Sequence, residues 1–228
     1  MSNTQLNDAT VDIVENGYSS NVEGIYFLPN DINVPIPKKH RVYSAKAALI
    51  DFFWQYNDKD VLISKLHSMA EQIAGKKFAK QDPYIISRVV NNSSLNESFR
   101  SHFDSHLVSI VIPIEVPKGQ KYSQGELIIM PNKRKIPMYF IQNVVQKLYY
   151  GSVFYRRYLR KNFQKMEQSN HLKVMDIGSI KNLVFNGYTT LHCNFPFENN
   201  NVRRTLLIHY GDLDTKGIGA FVRKLRNR

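Results

Sequence analysis

The sequence predicts a mainly β protein with flanking helices, arranged as a sandwich or barrel. Short strand-like runs separated by turn residues fill the second half of the chain. Two runs with helical spacing precede them, and one long basic helix interrupts them. With 228 residues, 43% of them hydrophobic, the chain has enough apolar side chains for one sizeable core.

The chain divides into a short lead-in and one domain. Residues 1–22 are polar and predict a flexible N-terminal segment, and residues 23–228 predict a single domain. The polar start is unlike a signal peptide, and no apolar run reaches the ~18 residues of a transmembrane helix. A lone cysteine, Cys193, excludes an internal disulfide, so we expect a reducing cytoplasm.

The first predicted elements are a short strand and two helices. The run GIYFLP over residues 24–29 predicts the strand. Apolar residues at helical spacing predict a helix over residues 44–57. A second helix is predicted over residues 58–75, because Asp58 or Asp60 can cap its start and a glycine stands at its end.

Seven runs rich in β-branched and aliphatic residues predict the strands of the core, which spans about residues 84–212. They lie at residues 84–90, 107–116, 125–131, 174–178, 182–187, 190–197 and 204–211. Between the third and fourth runs, residues 141–168 predict a long helix broken at Gly151. This helix belongs to an insertion of about residues 133–170.

The net charge of +12 indicates attraction to an anionic partner or substrate. The helical insertion carries a basic cluster: Arg156, Arg157, Arg160 and Lys161. This cluster could bind an anionic substrate, either a small molecule or one attached to a carrier. It could also bind nucleic acid or a membrane surface. It could equally be the solvated face of a helix that packs through its aromatic residues.

The stretch SHFDSH carries the first candidate chemistry. Because alternate residues of a strand share a face, an extended backbone here would point His102 and Asp104 the same way. Two histidines and one carboxylate form the facial triad of non-haem Fe(II) sites, which leaves coordination positions open. His192, in a later strand-like run, would supply the missing ligand. His106 could compete as a ligand, although we expect it beside the site or at the surface.

Arg203 is the candidate for binding an acidic co-substrate. It follows His192 after polar turn residues, so its strand could return antiparallel and bring the guanidinium near the metal. Such a group binds a carboxylate through two parallel hydrogen bonds. Arg204 stands beside it, but strand alternation points the two side chains to opposite faces, and the spacing favours Arg203.

The order of these motifs resembles that of the Fe(II)- and 2-oxoglutarate-dependent oxygenases. The matching segments are H-x-D at 102–104, Gly125-Glu126-Leu127 with Pro131, G-x4-H at 187–192, and R-x-T at 203–205. The GEL element is similar to that of prolyl-hydroxylase-like and phytanoyl-hydroxylase-like members. The resemblance covers about residues 84–212 of the chain.

This resemblance implies a double-stranded β-helix, also called a jelly-roll or cupin-like core, to which the sequence pattern adds an N-terminal helical part and a basic helical insertion. It implies an oxygenase that hydroxylates an organic substrate. The basic insertion favours an anionic substrate, and the lone cysteine favours the cytoplasm. The resemblance also implies an Fe(II) ion bound by His102, Asp104 and His192.

The co-substrates follow from the same resemblance. It implies that 2-oxoglutarate and O2 are consumed to give succinate and CO2. The far carboxylate of 2-oxoglutarate would be bound by Arg203 with help from the Thr205 hydroxyl. Asn91 stands where some relatives place an amide that helps hold this co-substrate, but it could also be a turn residue in NNSS.

Other interpretations stay open. The histidines and the aspartate could be hydrogen-bonded or core groups without a metal, and Arg203 could pair with Glu198 or Asp212. The chain could be an inactive jelly-roll protein that binds nucleic acid or another polyanion through the basic insertion. It could also be a cupin-like metalloenzyme that does not use 2-oxoglutarate. The intact set of candidate ligands counts against the inactive jelly-roll protein. Arg203 counts against the metalloenzyme that does not use 2-oxoglutarate.

Overall fold

A computed structural model of the protein describes eight ranges of the chain. These are residues 19–22, 25–27, 53–54, 57–91, 98–137, 140–178, 182–197 and 201–213. The strands are β1 (Ser19–Val22), β2 (Ile25–Phe27), β3 (Tyr84–Asn91), β4 (Val108–Glu115), β5 (Leu127–Met130), β6 (Lys173–Met175), β7 (Leu183–Asn186), β8 (Leu191–Asn194) and β9 (Val202–Tyr210). The helices are α1 (Lys59–Ala74), α2 (Phe140–Gly151) and α3 (Val153–Gln168).

The strands form two antiparallel sheets that face each other. The large sheet has the order β1-β2-β7-β4-β9-β3, and the small sheet has the order β6-β5-β8. Val111 and Phe185 from the large sheet meet Ile129 from the small sheet in one buried cluster. The mainly β fold with flanking helices is therefore confirmed.

Helix α1 covers the outer face of the large sheet. The Asp58 side chain caps its start, and Gly75 ends it in the left-handed conformation, so the predicted second helix is confirmed. Leu66 and Met69 pack against outward-facing residues of β4 and β9, such as Ile110. Of the first predicted helix, residues 53–54 are helical and Asn57 forms a bend, while residues 44–52 and 55–56 lie outside the described residues.

Helix α3 covers the outer face of the small sheet. Its Leu159 packs against Ile128 of β5 and Cys193 of β8. The long predicted helix is broken as expected, because α2 ends at Gly151 and Ser152 caps the start of α3. None of the helices in the described ranges is long and apolar enough to cross a membrane.

Three expectations from the sequence are wrong. Residues 19–22 form a paired strand instead of the end of a flexible lead-in, while residues 1–18 lie outside the described ranges. The H-x-D segment is not part of a strand; it makes a single isolated bridge, between His102 and His192. Strand β9 does not return beside β8, because it lies between β4 and β3 in the opposite sheet.

Candidate metal centre

The H-x-D segment crosses from one sheet to the other at an edge of the sandwich. His102 exchanges two backbone hydrogen bonds with His192 of β8, at 3.0 and 3.1 Å. Two residues later, the Asp104 amide donates to the Gly187 carbonyl just after β7, at 3.0 Å. Because the backbone is held at both sheets, the positions of the two side chains between them are well defined.

Three potential metal ligands converge in a cavity between the sheets. One side-chain nitrogen or oxygen from each of His102, Asp104 and His192 lies within 4.8 Å of the others. The Nε2 atom of His102 is 3.9 Å from Asp104 Oδ1, and the Nε2 atom of His192 is 3.8 Å from Asp104 Oδ2. The structure thus brings together the three residues that the sequence predicts as ligands.

Hydrogen bonds at the other ring nitrogen orient both imidazoles. His102 Nδ1 lies 3.2 Å from the Arg100 carbonyl, and His192 Nδ1 lies 3.2 Å from the Thr190 carbonyl. A carbonyl oxygen only accepts, so each Nδ1 carries the proton. Each Nε2 then presents a lone pair toward Asp104, as a metal-binding histidine requires.

Asp104 is oriented by a hydrogen bond from β4. Ser109 Oγ donates to Asp104 Oδ2 at 2.6 Å, and the same Oγ lies 3.1 Å from Nδ1 of His209 on β9. Because the serine gives its one proton to the carboxylate, His209 donates to Ser109. The sequence predicts no role for Ser109. Strand alternation places His209 on the same face of β9 as Arg203, and this pattern is the sequence feature that indicates a position near the site.

The electrostatic surroundings keep the three groups in metal-binding form at neutral pH. Burial and the nearby His192 lower the pKa of His102 to about 4. Burial lowers the pKa of His192, and the charge of Asp104 offsets only part of that effect. Burial alone would raise the pKa of Asp104, but the neighbouring imidazoles and the Ser109 hydrogen bond lower it well below its usual value. Neutral imidazoles and an ionised carboxylate bind divalent cations.

His106 is not among the three converging ligands. Its ring stacks on His209, with ring centroids 5.1 Å apart, and on Tyr84, at 6.2 Å. The position agrees with the expectation that His106 lies beside the site.

Arg203 places a buried guanidinium in the same cavity. Its side chain is 4% exposed, and Nη1 donates to the Gly125 carbonyl at 2.9 Å. Burial and the nearby Arg88 lower the pKa of Arg203 to about 10, so it is charged at neutral pH. Within the described residues its Nε has no hydrogen-bond partner, and no carboxylate, Asp212 included, forms an ion pair with it. A buried cation is costly without an anion, so the cavity favours an anionic ligand.

Strand alternation separates the neighbours of Arg203 as expected. Arg204 faces away from the cavity, and its Nε lies 2.8 Å from Oε2 of Glu115. Thr205 is buried and lines the cavity on the Arg203 face. Asn91 is the last residue of β3, opposite Val202, and its side chain lies outside the described part of the structure. Glu198, the other carboxylate considered for Arg203, also lies outside the described residues.

The basic cluster of the insertion lies on α3, outside the small sheet. Its residues line neither of the two cavities at the metal centre: Arg156, Arg157, Arg160 and Lys161. Three of them are exposed, and Arg156 is half-buried. Their role in substrate binding stays a prediction.

An open cavity of about 450 Å³ forms the mouth of the metal centre. It shares Arg88, His102 and Asn194 with the inner cavity, and Arg100 and Lys147 add two more cationic side chains. The sequence did not single out Arg88, Arg100 or Lys147 as functional residues. Arg88 did leave a signal, because it is a charge within the apolar strand YIISRVV. Arg100 and Lys147 are distant in sequence, and only folding brings them together.

No protein-family model matches the chain, and no curated protein matches it. Among solved structures, a prolyl-4-hydroxylase from Pseudomonas putida matches with a TM-score of 0.43 and 14% identity, over 93% of this chain and 95% of that chain. A prolyl hydroxylase from Trichoplax adhaerens, in complex with a hypoxia inducible factor oxygen degradation domain peptide fragment, also matches. Its TM-score is 0.40 at 12% identity, over 92% of this chain and 77% of that chain. Function is inferred below from the side chains of the cavity.

Proposed function

We propose that this protein is an Fe(II)- and 2-oxoglutarate-dependent dioxygenase that hydroxylates an organic substrate and forms succinate and CO2. Its two facing sheets would then be a double-stranded β-helix. The observation that carries the proposal is the convergence of a His-Asp-His group and a buried guanidinium on one cavity. A metal site alone would not explain the guanidinium.

The donor set fits Fe(II). Two neutral imidazoles and one ionised carboxylate, from His102, Asp104 and His192, are the ligands of the facial-triad sites. At neutral pH both imidazoles are neutral and the carboxylate is ionised, so each of the three groups can bind a cation. When bound, Fe(II) would supply the activation of O2 that side chains cannot provide.

Arg203 would bind the far carboxylate of 2-oxoglutarate. Its guanidinium and Asn194 Nδ2 donate to the same Gly125 carbonyl, at 2.9 and 3.3 Å. Asn194 lies two residues from His192 on the same face of β8, a rise of about 7 Å. Arg203 and the three candidate ligands line the same inner cavity, so a diacid that meets the metal at one end would direct its other carboxylate toward Arg203. The Thr205 hydroxyl lines the same part of the cavity.

The walls of the inner cavity strengthen this interaction. Apolar side chains, among them Leu127, Phe185 and Leu207, line it together with the charged groups. In such a water-poor setting, attraction between a guanidinium and a carboxylate is screened less than in solvent. The same walls would keep bulk water away from the reacting atoms.

The two cavities suggest a division of space between co-substrate and substrate. The inner cavity measures about 40 Å³, room for about three water molecules. A diacid would therefore extend from the inner cavity toward the mouth through the shared boundary at Arg88, His102 and Asn194. The mouth, about 450 Å³, is the route by which the substrate would reach the metal.

An anaerobic titration tests the proposal. Fe(II) and then 2-oxoglutarate are added to the purified chain, and the visible absorption difference is recorded. We expect a weak charge-transfer band that needs both additions. The band should be lost in His102→Ala and should require more 2-oxoglutarate in Arg203→Ala. Arg204→Ala is the matched control, because it removes a neighbouring guanidinium that points away from the cavity, and it should behave like the wild type.

The other outcomes would identify the alternatives. If folded, iron-loaded protein gives no band, the 2-oxoglutarate assignment is wrong, and turnover that needs iron alone would indicate a cupin-like metalloenzyme. If the chain binds no iron but binds nucleic acid in a salt-dependent way, the basic insertion carries the function. Equal behaviour of the Arg203→Ala and Arg204→Ala variants would exclude Arg203 as the carboxylate-binding residue.

A further inference from the structure

We infer that the exposed faces of α2 and α3 bind an anionic lipid surface. This role goes beyond the proposed activity and does not depend on the metal centre, because it concerns the outer side of the small sheet. It assigns the basic cluster on α3 to lipid headgroups instead of the substrate.

Helix α2 turns its apolar side chains toward solvent. Four of them recur at the spacing of a single helix face and are between 37% and 73% exposed: Ile141, Val144, Val145 and Leu148. The opposite face is polar and points inward, where Asn143 and Gln146 accept hydrogen bonds from Arg134. A helix of a globular protein normally buries its apolar face. This reversed orientation therefore indicates that the exposed face of α2 makes a contact with another molecule.

The apolar surface continues from α2 into the first turns of α3. Tyr149 is 62% exposed, and its ring centroid lies 5.8 Å from that of Tyr155. Val153 and Phe154 follow at the start of α3, where Phe154 is 82% exposed. Tyr158, one turn further on, is exposed too, and its ring centroid lies 5.9 Å from that of Tyr155. We call the eight exposed side chains the apolar stripe: Ile141, Val144, Val145, Leu148, Tyr149, Val153, Phe154 and Tyr158.

Positive charge borders the apolar stripe. Arg157 and Lys161 of the basic cluster are exposed and follow Phe154 by three and seven residues, so they lie on its side of α3. The single acidic residue in the sequence of α2 and α3 is Glu167, near the end of α3, where its carboxylate pairs with Lys121 at 3.7 Å. Apolar side chains beside basic ones are the combination by which helices lie on anionic membranes.

The charge of the chain favours a lipid surface over a second copy of the chain. A two-fold dimer through the apolar stripe would bring the basic clusters of both copies into one interface, and each chain has a net charge of +12. Like charges oppose such an association. An acidic protein would not be repelled, but it would need pockets that match protruding side chains such as Phe154. Lipid acyl chains accept such side chains without a matching shape.

The mouth of the metal centre opens beside the apolar stripe. Leu148 belongs to both, and Gly151, where α2 ends, also lines the mouth. A lipid surface that contacts the apolar stripe would therefore lie next to the mouth.

Sedimentation of the full-length chain with lipid vesicles tests this role without metal or turnover. One set of vesicles contains phosphatidylcholine alone, and the other contains equal parts of phosphatidylcholine and phosphatidylserine. We expect binding to the phosphatidylserine vesicles that added salt weakens. Binding to phosphatidylcholine alone should be at least about tenfold weaker, because the attraction between the basic cluster and the headgroups is lost.

Substitutions separate the apolar and the basic contributions. Ile141→Gln and Phe154→Gln should each weaken binding to phosphatidylserine vesicles about tenfold, because each removes an apolar side chain from the lipid. Their control is Val61→Gln, which removes an exposed apolar side chain of α1 on the opposite face of the sandwich and should bind as the wild type does. Lys161→Gln should weaken binding about fivefold, the usual contribution of one basic residue near an anionic surface. Its control is Lys76→Gln, which removes an exposed charge just after α1 and should change nothing.

Three results would each rule out the lipid-binding role. They are no binding of the wild type to either kind of vesicle, wild-type binding by both Ile141→Gln and Phe154→Gln, and equal losses in Lys161→Gln and Lys76→Gln.

Two further measurements then identify what the apolar stripe contacts instead of lipid. A wild-type dimer that Phe154→Gln separates into monomers would indicate a second copy of the chain. A much larger loss of unfolding free energy in Ile141→Gln than in Val61→Gln would indicate that the chain itself covers the apolar stripe. A monomer in which both variants keep the same stability would indicate a different partner protein.

Discussion

Ser109 donates a hydrogen bond to Asp104, and that bond sets the direction in which Asp104 presents its oxygens. We predict that Ser109→Ala lowers the affinity for a divalent metal about 10–100-fold, the usual effect of removing a group that orients a ligand. Competition with a chromophoric chelator measures this change. Ser169→Ala, which removes an exposed hydroxyl at the end of α3, is the control and should leave the affinity unchanged. Equal affinities for all three proteins would mean that Asp104 is held by its backbone alone.

Gly187 allows the H-x-D segment to approach the end of β7. A Cβ atom on it would lie 2.6 Å from the His106 carbonyl and 2.8 Å from Asp104 Cβ, closer than side chains tolerate. We predict that Gly187→Ala destabilises the fold by about 1–3 kcal/mol, as other overpacked sites do, and also lowers metal affinity.

Urea unfolding of the Gly187→Ala variant checks this prediction. Gly151→Ala serves as its control, because the nearest atom to a Cβ there is 3.7 Å away. The control should change stability by less than about 1 kcal/mol. A Gly187→Ala variant as stable as the control would show that the segment can move aside.

The candidate ligands could be predicted because their residue types and spacing are visible in short segments of the sequence. H-x-D spacing and a distant histidine suffice to suggest His102, Asp104 and His192. Groups that act on those ligands, such as Ser109, have no local pattern. They become recognisable only when the register of β4 and β9 places Ser109 opposite His209.

At the scale of elements, strand β9 has a different partner from the one expected, yet it still places Arg203 in the cavity. A hairpin with β8 was expected to bring Arg203 near His192. Strand β9 instead lies in the large sheet. Its inward face still lines the cavity opposite β8, because the two sheets face each other across the cavity. Alternation along a strand is thus a local property, whereas the choice of partner strand depends on the whole chain.

Helix α2 depends on one buried arginine. Arg134 donates to the Tyr188 carbonyl at 2.6 Å, Asn143 Oδ1 at 2.9 Å and Gln146 Oε1 at 2.9 Å. We predict that Arg134→Met destabilises the protein by about 2–4 kcal/mol, because it removes all three of these side-chain hydrogen bonds, two of them buried. Denaturant unfolding measures the loss.

Lys133→Met is the control for this prediction, since Lys133 is adjacent and exposed. Wild-type stability for the Arg134→Met variant would show that α2 is held mainly by its aromatic contacts, such as that between Tyr150 and Phe103.

At the scale of the whole molecule, the metal centre makes the stability of the metal-free fold depend on pH. The unfolded chain binds protons at histidine near pH 6.5, whereas folded His102 stays neutral down to about pH 4. The lowered pKa of Asp104 acts in the same direction at lower pH. Because the unfolded state binds more protons in this range, the free energy of unfolding should fall as the pH decreases from 7 to 4.

Urea titrations at pH 7.0 and pH 4.5 measure this dependence. The His102→Asn variant lacks one of the groups involved, so its stability should fall less between the two pH values. An identical fall in both proteins would show that other groups govern the acid response.

The path of the H-x-D segment also has a dynamic consequence. The amide hydrogens of His102, His192 and Asp104 close the edge of the sandwich by bonding the segment to both sheets. A divalent ion held by the same three side chains would cross-link that edge, so opening it would first require release of the ion. We therefore expect deuterium to replace these three amide hydrogens much more slowly in metal-loaded than in metal-free protein. Amides in α1, on the outer face of the large sheet, should change little.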